Sequence, residues 1–290
     1  MRLKDIQTIF HRELDAIYGK EEVDSFFYLL TDEFLGMQRL AFSLQPEFTI
    51  TKEEEQPLFE ALSRLKLEEP IQYILGKTEF FGLPFKVDKH TLIPRPETEE
   101  LVDWIISEYR DKNEPVKILD IGTGSGCIAI SLAEHLPNAN IFALDVSGKA
   151  LKVAKENAKS NHVDIEFIQA DILKQRDWDI KFQDLRFDII VSNPPYVRNL
   201  EKTDMKSNVL NNEPSLALFV EDDNPLLFYK AITEFATNYL KNERDLFFEI
   251  NQYLGKEMIQ LLKSFNFKNI HLRKDIFGND RMLKGIKNFD

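Results

Sequence analysis

The chain of 290 residues has a single cysteine, Cys127. That excludes an intramolecular disulfide and any zinc site built from cysteines. Its five histidines are scattered, without the spacing of metal ligands. No run approaches the roughly 18 apolar residues of a membrane span. Met1-Arg2-Leu3-Lys4-Asp5 leads into an amphipathic segment rather than a signal peptide, so a soluble protein of the cytoplasm, without a membrane partner, is expected. Basic charge is also scarce: 37 Lys and Arg stand against 49 Asp and Glu, a net charge of -12. Proteins that grip phosphate backbones usually carry a basic face, so no direct DNA binding is expected. Core material is plentiful. The chain is 43% hydrophobic with 23 Phe, enough for one large domain, or a large and a small one.

Residues 1–75 show helical periodicity throughout. Ile6, Ile9, Phe10, Leu14 and Ile17 recur at helical spacing up to Gly19, and residues 23–30 and 34–44 continue the pattern. Thr51-Lys52-Glu53-Glu54 reads as a capping box ahead of Leu58, Leu62 and Leu65. No cluster of chemistry-bearing side chains occurs there, so the segment reads as a substrate-docking domain or a stabilising cap. Residues 76–92 break short apolar runs with Gly and Pro, as in Phe80-Phe81-Gly82-Leu83-Pro84-Phe85, which predicts a β-hairpin linker. Residues 93–290 form the third region. It opens with Leu92-Ile93-Pro94-Arg95-Pro96-Glu97-Thr98-Glu99, where Pro96 suits the first turn of a helix.

From Val116 the pattern becomes strand, Gly-rich loop, helix. Strands are expected at 117–121, 141–145, 165–168, 187–191 and 246–250, and helices at 128–136, 150–158, 225–240 and 255–265. Residues 271–276 and 281–286 read as a closing pair of strands. Strands alternating with helices predict an α/β fold with a mostly parallel, doubly wound sheet.

In such sheets ligands bind beyond the carboxyl ends of the strands, and there the informative residues fall. Gly122-Thr123-Gly124-Ser125-Gly126 lets backbone N–H groups approach a polar ligand closely. Alone it could also announce a dinucleotide site, although Cys127 stands where that fingerprint wants its third Gly or Ala. Asp145 ends the second strand, where a carboxylate can accept both hydroxyls of a ribose. Asp171-Ile172 ends the third, an acid and an apolar group suited to an adenine. Phe187 to Val191 is an apolar strand stopped by Asn193-Pro194-Pro195-Tyr196, since proline has no N–H for a sheet ladder. Each feature alone could be an ordinary loop or a solvated strand end. Together, at successive strand ends, they point to one nucleoside-containing ligand.

These motifs resemble those of class I methyltransferases dependent on S-adenosylmethionine (SAM) that modify planar amino groups, a superfamily with a Rossmann-like domain. Within it, Gln72-Tyr73-Ile74-Leu75-Gly76, Ile93-Pro94-Arg95-Pro96-Glu97-Thr98-Glu99, residues 118–130, Glu213-Pro214, Glu249 and residues 275–281 are similar to the HemK/PrmC family. The resemblance covers almost the whole chain. It implies transfer of a methyl group from SAM, leaving S-adenosylhomocysteine (SAH), to the glutamine amide nitrogen of the Gly-Gly-Gln motif in class I peptide chain release factors. Gly122 to Gly126, Asp145, Asp171, Ile172 and Asn193 would then hold SAM. Asn193, Pro194, Pro195 and Tyr196 would hold the substrate amide, with Asn193, Pro194 and Tyr196 catalytic and no metal. Methylation of a ribosomal protein glutamine, or of adenine in DNA, shares the Asn-Pro-Pro-Tyr core. Asn251 departs from the family, where Gly is usual, and Asn224-Pro225 replaces a more Gly-rich turn.

Overall fold

The computed structural model describes residues 1–45, 47–111 and 114–288. They form two compact units, Met1–Gly76 with Lys206–Asn212, and Lys77–Met205 with Glu213–Asp290.

The smaller unit is helical: α1 (Leu3–Tyr18), α2 (Lys20–Leu35), α3 (Arg39–Leu44), α4 (Lys52–Leu65) and α5 (Ile71–Leu75). The periodic residues Leu3, Ile6, Phe10 and Leu14 of α1 are fully buried against Phe27 and Leu30 of α2 and Leu58 of α4. The capping box of α4 forms. The Glu54 N–H donates to Thr51 Oγ1 and the Thr51 N–H to the Glu54 carboxylate, at 3.3 and 2.8 Å. Residues 206–212, which carry the short helix Ser207–Asn212, belong to this unit through Glu68. The Asn212 Nδ2 donates to the Glu68 carbonyl at 3.0 Å, and the Ser207 hydroxyl to its carboxylate.

The larger unit contains β1 (Lys77–Phe80), β2 (Leu83–Lys86), β3 (Lys117–Ile121), β4 (Asn140–Asp145), β5 (Glu166–Gln169), β6 (Phe187–Ser192), β7 (Val197–Arg198), β8 (Phe219–Val220), β9 (Leu240–Glu249), β10 (Phe267–Lys274) and β11 (Asp280–Lys287). Seven of these form one sheet in the order β10-β11-β9-β6-β3-β4-β5. The five strands from β9 to β5 run parallel, and β10 and β11 are antiparallel. Alternation along the strands divides the core between the two faces. Ile189, Val191 and Phe247 point toward α6 (Pro96–Tyr109) and α7 (Cys127–His135). Ile190, Leu246 and Phe248 point toward the helices Leu227–Tyr239 and Gly255–Ser264. This is the doubly wound, mostly parallel arrangement expected from the alternation of strands and helices.

The hairpin β1–β2, expected from the sequence as a linker, belongs with the larger unit. Asn157, on α8 (Gly148–Ser160), is the reason. Its side chain accepts from the Lys86 N–H at 2.7 Å and donates to the Lys86 and Ser125 carbonyls at 3.0 and 2.9 Å, tying the hairpin to the Gly-rich loop.

Candidate active site

Strand ends set the site. β6 is buried along its whole length, and the Ser192 hydroxyl closes it by donating to the Ile121 carbonyl at 2.7 Å. Asn193 and Pro194 therefore emerge from the sheet centre beside the loop that follows β3. That loop folds back on β4, with the Gly122 and Thr123 N–H groups both donating to the Leu144 carbonyl at 2.8 and 3.0 Å.

A cavity opens at these ends. Its walls include Gly122, Gly124, Asp145, Asp171, Ile172, Asn193, Pro194 and Pro195. Thus most of the residues singled out from the sequence face one space. Four do not. The Thr123 hydroxyl donates inward to the buried Asp120 carboxylate at 2.6 Å, and the side chain of Ser125 is buried. Gly126 serves packing, since a Cβ there would meet Ile130 Cδ1 at 3.0 Å and Ala154 Cβ at 3.2 Å. Tyr196 lines a second, smaller cavity with Arg95 and Glu249. Asn193 and Pro194 are shared by the two cavities and form part of the wall between them.

Asp145 is poised at the β4 end. Its carboxylate accepts from the Gly124 N–H at 2.9 Å and the Ser147 N–H at 2.8 Å, one on each oxygen. Each oxygen keeps a second lone pair for a ligand. Burial pushes this carboxyl up from the usual range, and the two N–H bonds work against that shift. Gly124 has φ of 56°, and a Cβ there would approach nothing nearer than the Gly122 carbonyl, at 4.0 Å. Its glycine character thus answers to backbone conformation and an open approach rather than to packing. Under the loop, burial pushes the Asp120 carboxyl up to about 7, with the Thr123 hydroxyl opposing. Asp171 accepts from the Leu173 N–H at 3.0 Å, and Ile172 is buried, with its carbonyl bound by Trp178 Nε1 at 3.1 Å. Leu144, Ala170, Phe228 and Ile232 add apolar lining to the same cavity.

The second cavity is organised by carboxylates that sequence reasoning named only as parts of motifs. Glu249, at the β9 end, is 1% exposed. Tyr196 Oη donates to one of its oxygens at 2.9 Å and Thr98 Oγ1 to the other at 2.6 Å. Burial next to this carboxylate holds the Tyr196 phenol well above its ordinary range, so it stays a neutral donor. Glu213, 4% exposed, accepts from the Ile93 N–H at 3.2 Å and from the Arg95 guanidinium. These bonds fix the Ile-Pro-Arg-Pro bend against the segment after Asn193. Arg281, whose charge bears on Glu249, is pinned by Asp275 at 3.0 Å. Asn251 has a purpose that Gly would not serve: its side chain donates to the Tyr196 carbonyl at 3.0 Å. Nothing in the local sequence signals the pairings of Glu249 and Glu213 with Tyr196, Thr98 and Ile93, because those partners lie 53 to 151 residues apart.

A family model described as the PrmC N-terminal domain matches residues 10–76, and one described as the methyltransferase small domain matches residues 104–217. The release factor glutamine methyltransferase of Flavobacterium psychrophilum is 54% identical over 286 residues, covering 98% of this chain and 99% of that protein. The protein of the same name from Bacteroides thetaiotaomicron is 42% identical over 278 residues, covering 96% and 98%. Among solved structures, a human methyltransferase 10 domain containing protein shares the fold, with a TM-score of 0.52 at 19% identity, over 72% of this chain and 91% of that one.

Proposed function

This chain belongs to the release factor glutamine methyltransferase family, and from that premise we propose which residues carry the reaction and where each reactant lies. The reaction is SAM-dependent methylation of the side-chain amide nitrogen of a protein glutamine. The substrate is the Gly-Gly-Gln glutamine of class I peptide chain release factors, and the setting is the cytoplasm, where they act.

When bound, SAM supplies an electrophilic methyl group on a sulfonium and departs as SAH. The larger cavity suits it chemically. Asp145 has free lone pairs for ribose hydroxyls, Asp171 shares the cavity with apolar residues suited to an adenine, and the open face of Gly124 admits a close approach. Asn193 and Pro194 stand between that cavity and the one lined by Tyr196. This shared wall is the observation that carries the reading, because a group held there can meet reactants on both sides.

A carboxamide nitrogen is a poor nucleophile, since its lone pair is delocalised into its carbonyl. The Asn193 side-chain oxygen and the Pro194 carbonyl can each accept one N–H of the target amide. That fixes the amide plane and favours pyramidalisation, so the lone pair is aimed across the wall. Pro195 stiffens the turn. Tyr196, anchored through its hydroxyl, presents a ring face to the amide and the nearby cationic methyl group. With SAM held at Asp145 and Asp171, the oriented nitrogen would take the methyl group, its new N–C bond replacing the S–C bond, and would then release its proton to solvent. Positioning and electrostatics carry the acceleration.

The test is transfer of labelled methyl from SAM to a release factor, a ribosomal protein and duplex DNA in parallel. Only the release factor should be labelled. In Asn193→Ala, single-turnover transfer should fall by about 10²–10³, with release-factor affinity far less changed, the mark of a contact made in the transition state. Near wild-type turnover would return Asn-Pro-Pro-Tyr to the status of a loop.

A further inference from the structure

The reading just given requires Asn193 to turn its oxygen, and not its amide nitrogen, toward the substrate. An asparagine side chain is nearly symmetric in shape, so something must choose. The Asn193 Nδ2 donates to Thr98 Oγ1 at 3.2 Å, and Thr98 Oγ1 donates to Glu249 at 2.6 Å. Tyr196 Oη donates to the other Glu249 oxygen at 2.9 Å. Thr98 and Glu249 are 3% and 1% exposed, so bulk water offers neither an easy substitute partner.

Donor counting makes this arrangement directional. An ionised carboxylate only accepts, and a hydroxyl has one proton. Glu249 takes the proton of Thr98, which leaves Thr98 only lone pairs to offer Asn193. Asn193 must then present its NH₂ to Thr98, and its oxygen points away. We propose that Glu249 and Thr98 are positioning residues that fix the polarity of the Asn193 amide through this one-way relay. The same carboxylate holds Tyr196, so one buried charge orients both side chains of the substrate-holding motif. Burial pushes the Glu249 carboxyl up from its usual range, while the Thr98 and Tyr196 hydroxyls and the charge of Arg281, itself pinned by Asp275 at 3.0 Å, work toward its ionised form. A neutral group in place of Glu249 would reverse the relay. It could donate to Thr98, release the Thr98 proton toward Asn193, and leave an N–H where the substrate needs an acceptor.

The proposal rests on the role given to Asn193 above, and its test separates the two. In the full-length protein, Thr98→Val keeps the shape of the side chain and removes its polarity, whereas Thr98→Ser keeps the hydroxyl. With SAM pre-bound, Thr98→Val should slow single-turnover transfer to a release factor by about 10–100-fold, the scale on which orienting partners act at other sites. SAM affinity should stay within about threefold, and Thr98→Ser should recover most of the rate. In an Asn193→Ala background the same Thr98→Val change should cost little more, because the two act as a unit. Glu249→Gln, if folded, should resemble Thr98→Val. Side-chain amide NMR signals of Asn193 supply a readout free of catalysis. They should shift and lose exchange protection in Thr98→Val and be restored in Thr98→Ser. Unchanged Asn193 signals in Thr98→Val, or a Thr98→Ser variant as slow as Thr98→Val, would overturn the relay. A wild-type protein that labels no release factor, while its Asn193 signals still depend on Thr98, would overturn the functional reading and leave the relay standing.

Discussion

Asp145 does two jobs with one carboxylate. It accepts from the Gly124 and Ser147 N–H groups at 2.9 and 2.8 Å, which holds the Gly-rich loop, and its remaining lone pairs face the cavity. Asp145→Ala should weaken SAM binding by about 1.5–3 kcal/mol, the range for hydrogen bonds to a charged group, as calorimetry would measure. Unchanged affinity in the folded variant would place the ribose elsewhere. Asp145→Asn should lose much of the same energy, because its NH₂ would face an N–H that also needs an acceptor. At this scale the sequence is readable where chemistry is local. Gly122, Gly124, Asp145 and Asn193 follow from motif and strand-end position. It is mute where two uses share one residue type. Gly124 leaves an approach open and Gly126 makes room for Ile130 and Ala154, yet both are written as the same letter in one short motif. Thr98 and Glu249 stay hidden for another reason, as their meeting depends on tertiary pairing across 151 residues.

Among the elements, β9 departs most from its sequence pattern. An apolar run marks only residues 246–250, but the strand begins at Leu240. The register against β6 jumps between Phe187↔Leu240 and Ile189↔Asp245, so the polar residues 241–244 form a bulge. Within it, Lys241 and Arg244 reach Asp188 at 2.8 and 2.9 Å, and Asp188 also accepts from the Lys117 N–H at 2.9 Å. A carboxylate near the start of an apolar strand looks misplaced in sequence, and the bulge supplies its two cationic partners. Burial works to raise the Asp188 carboxyl, but the Lys117 N–H, Lys241 and Arg244 outweigh it and hold it below its ordinary value. The native state therefore binds that proton less readily than the unfolded chain. The stability from Asp188 is present above the unfolded pKa and is lost as pH falls through the lower folded pKa. Asp188→Ala should cost about 1–3 kcal/mol near neutral pH, as for a lost set of charge-assisted bonds whose cationic partners can still reach water. Urea unfolding should show that difference shrinking below about pH 4, where even the unfolded carboxyl takes up its proton. A gap that stays constant with pH would mean that packing, not charge, is what Asp188 supplies.

For the whole molecule, the sequence separates a helical segment from an α/β region near residue 76, and the contacts follow that division with one exchange. Residues 206–212 join the helical unit, held through Glu68. They lie in the chain between Asn193 and Glu213, and Glu213 in turn secures Ile93 and Arg95. A seven-residue stretch in which only Val209 and Leu210 are apolar carries no periodicity strong enough to announce this. We propose that the helical unit docks the release factor, and the exchange changes what its removal should do. Deleting residues 1–76 strips the partners of 206–212 and loosens the segment leading to Pro214 and Ala217, which line the larger cavity. SAM affinity should therefore fall several-fold rather than stay intact, and transfer to the full-length release factor should be nearly abolished. A short Gly-Gly-Gln peptide at saturating concentration should still be methylated, more slowly, because Asn193, Pro194, Thr98 and Glu249 all remain in the larger unit. Parallel kinetics on the peptide and the whole factor separate docking from assembly of the site. Equal losses on both would make the helical unit a structural support for residues 206–212. Full activity on the whole factor would remove it from substrate recognition altogether.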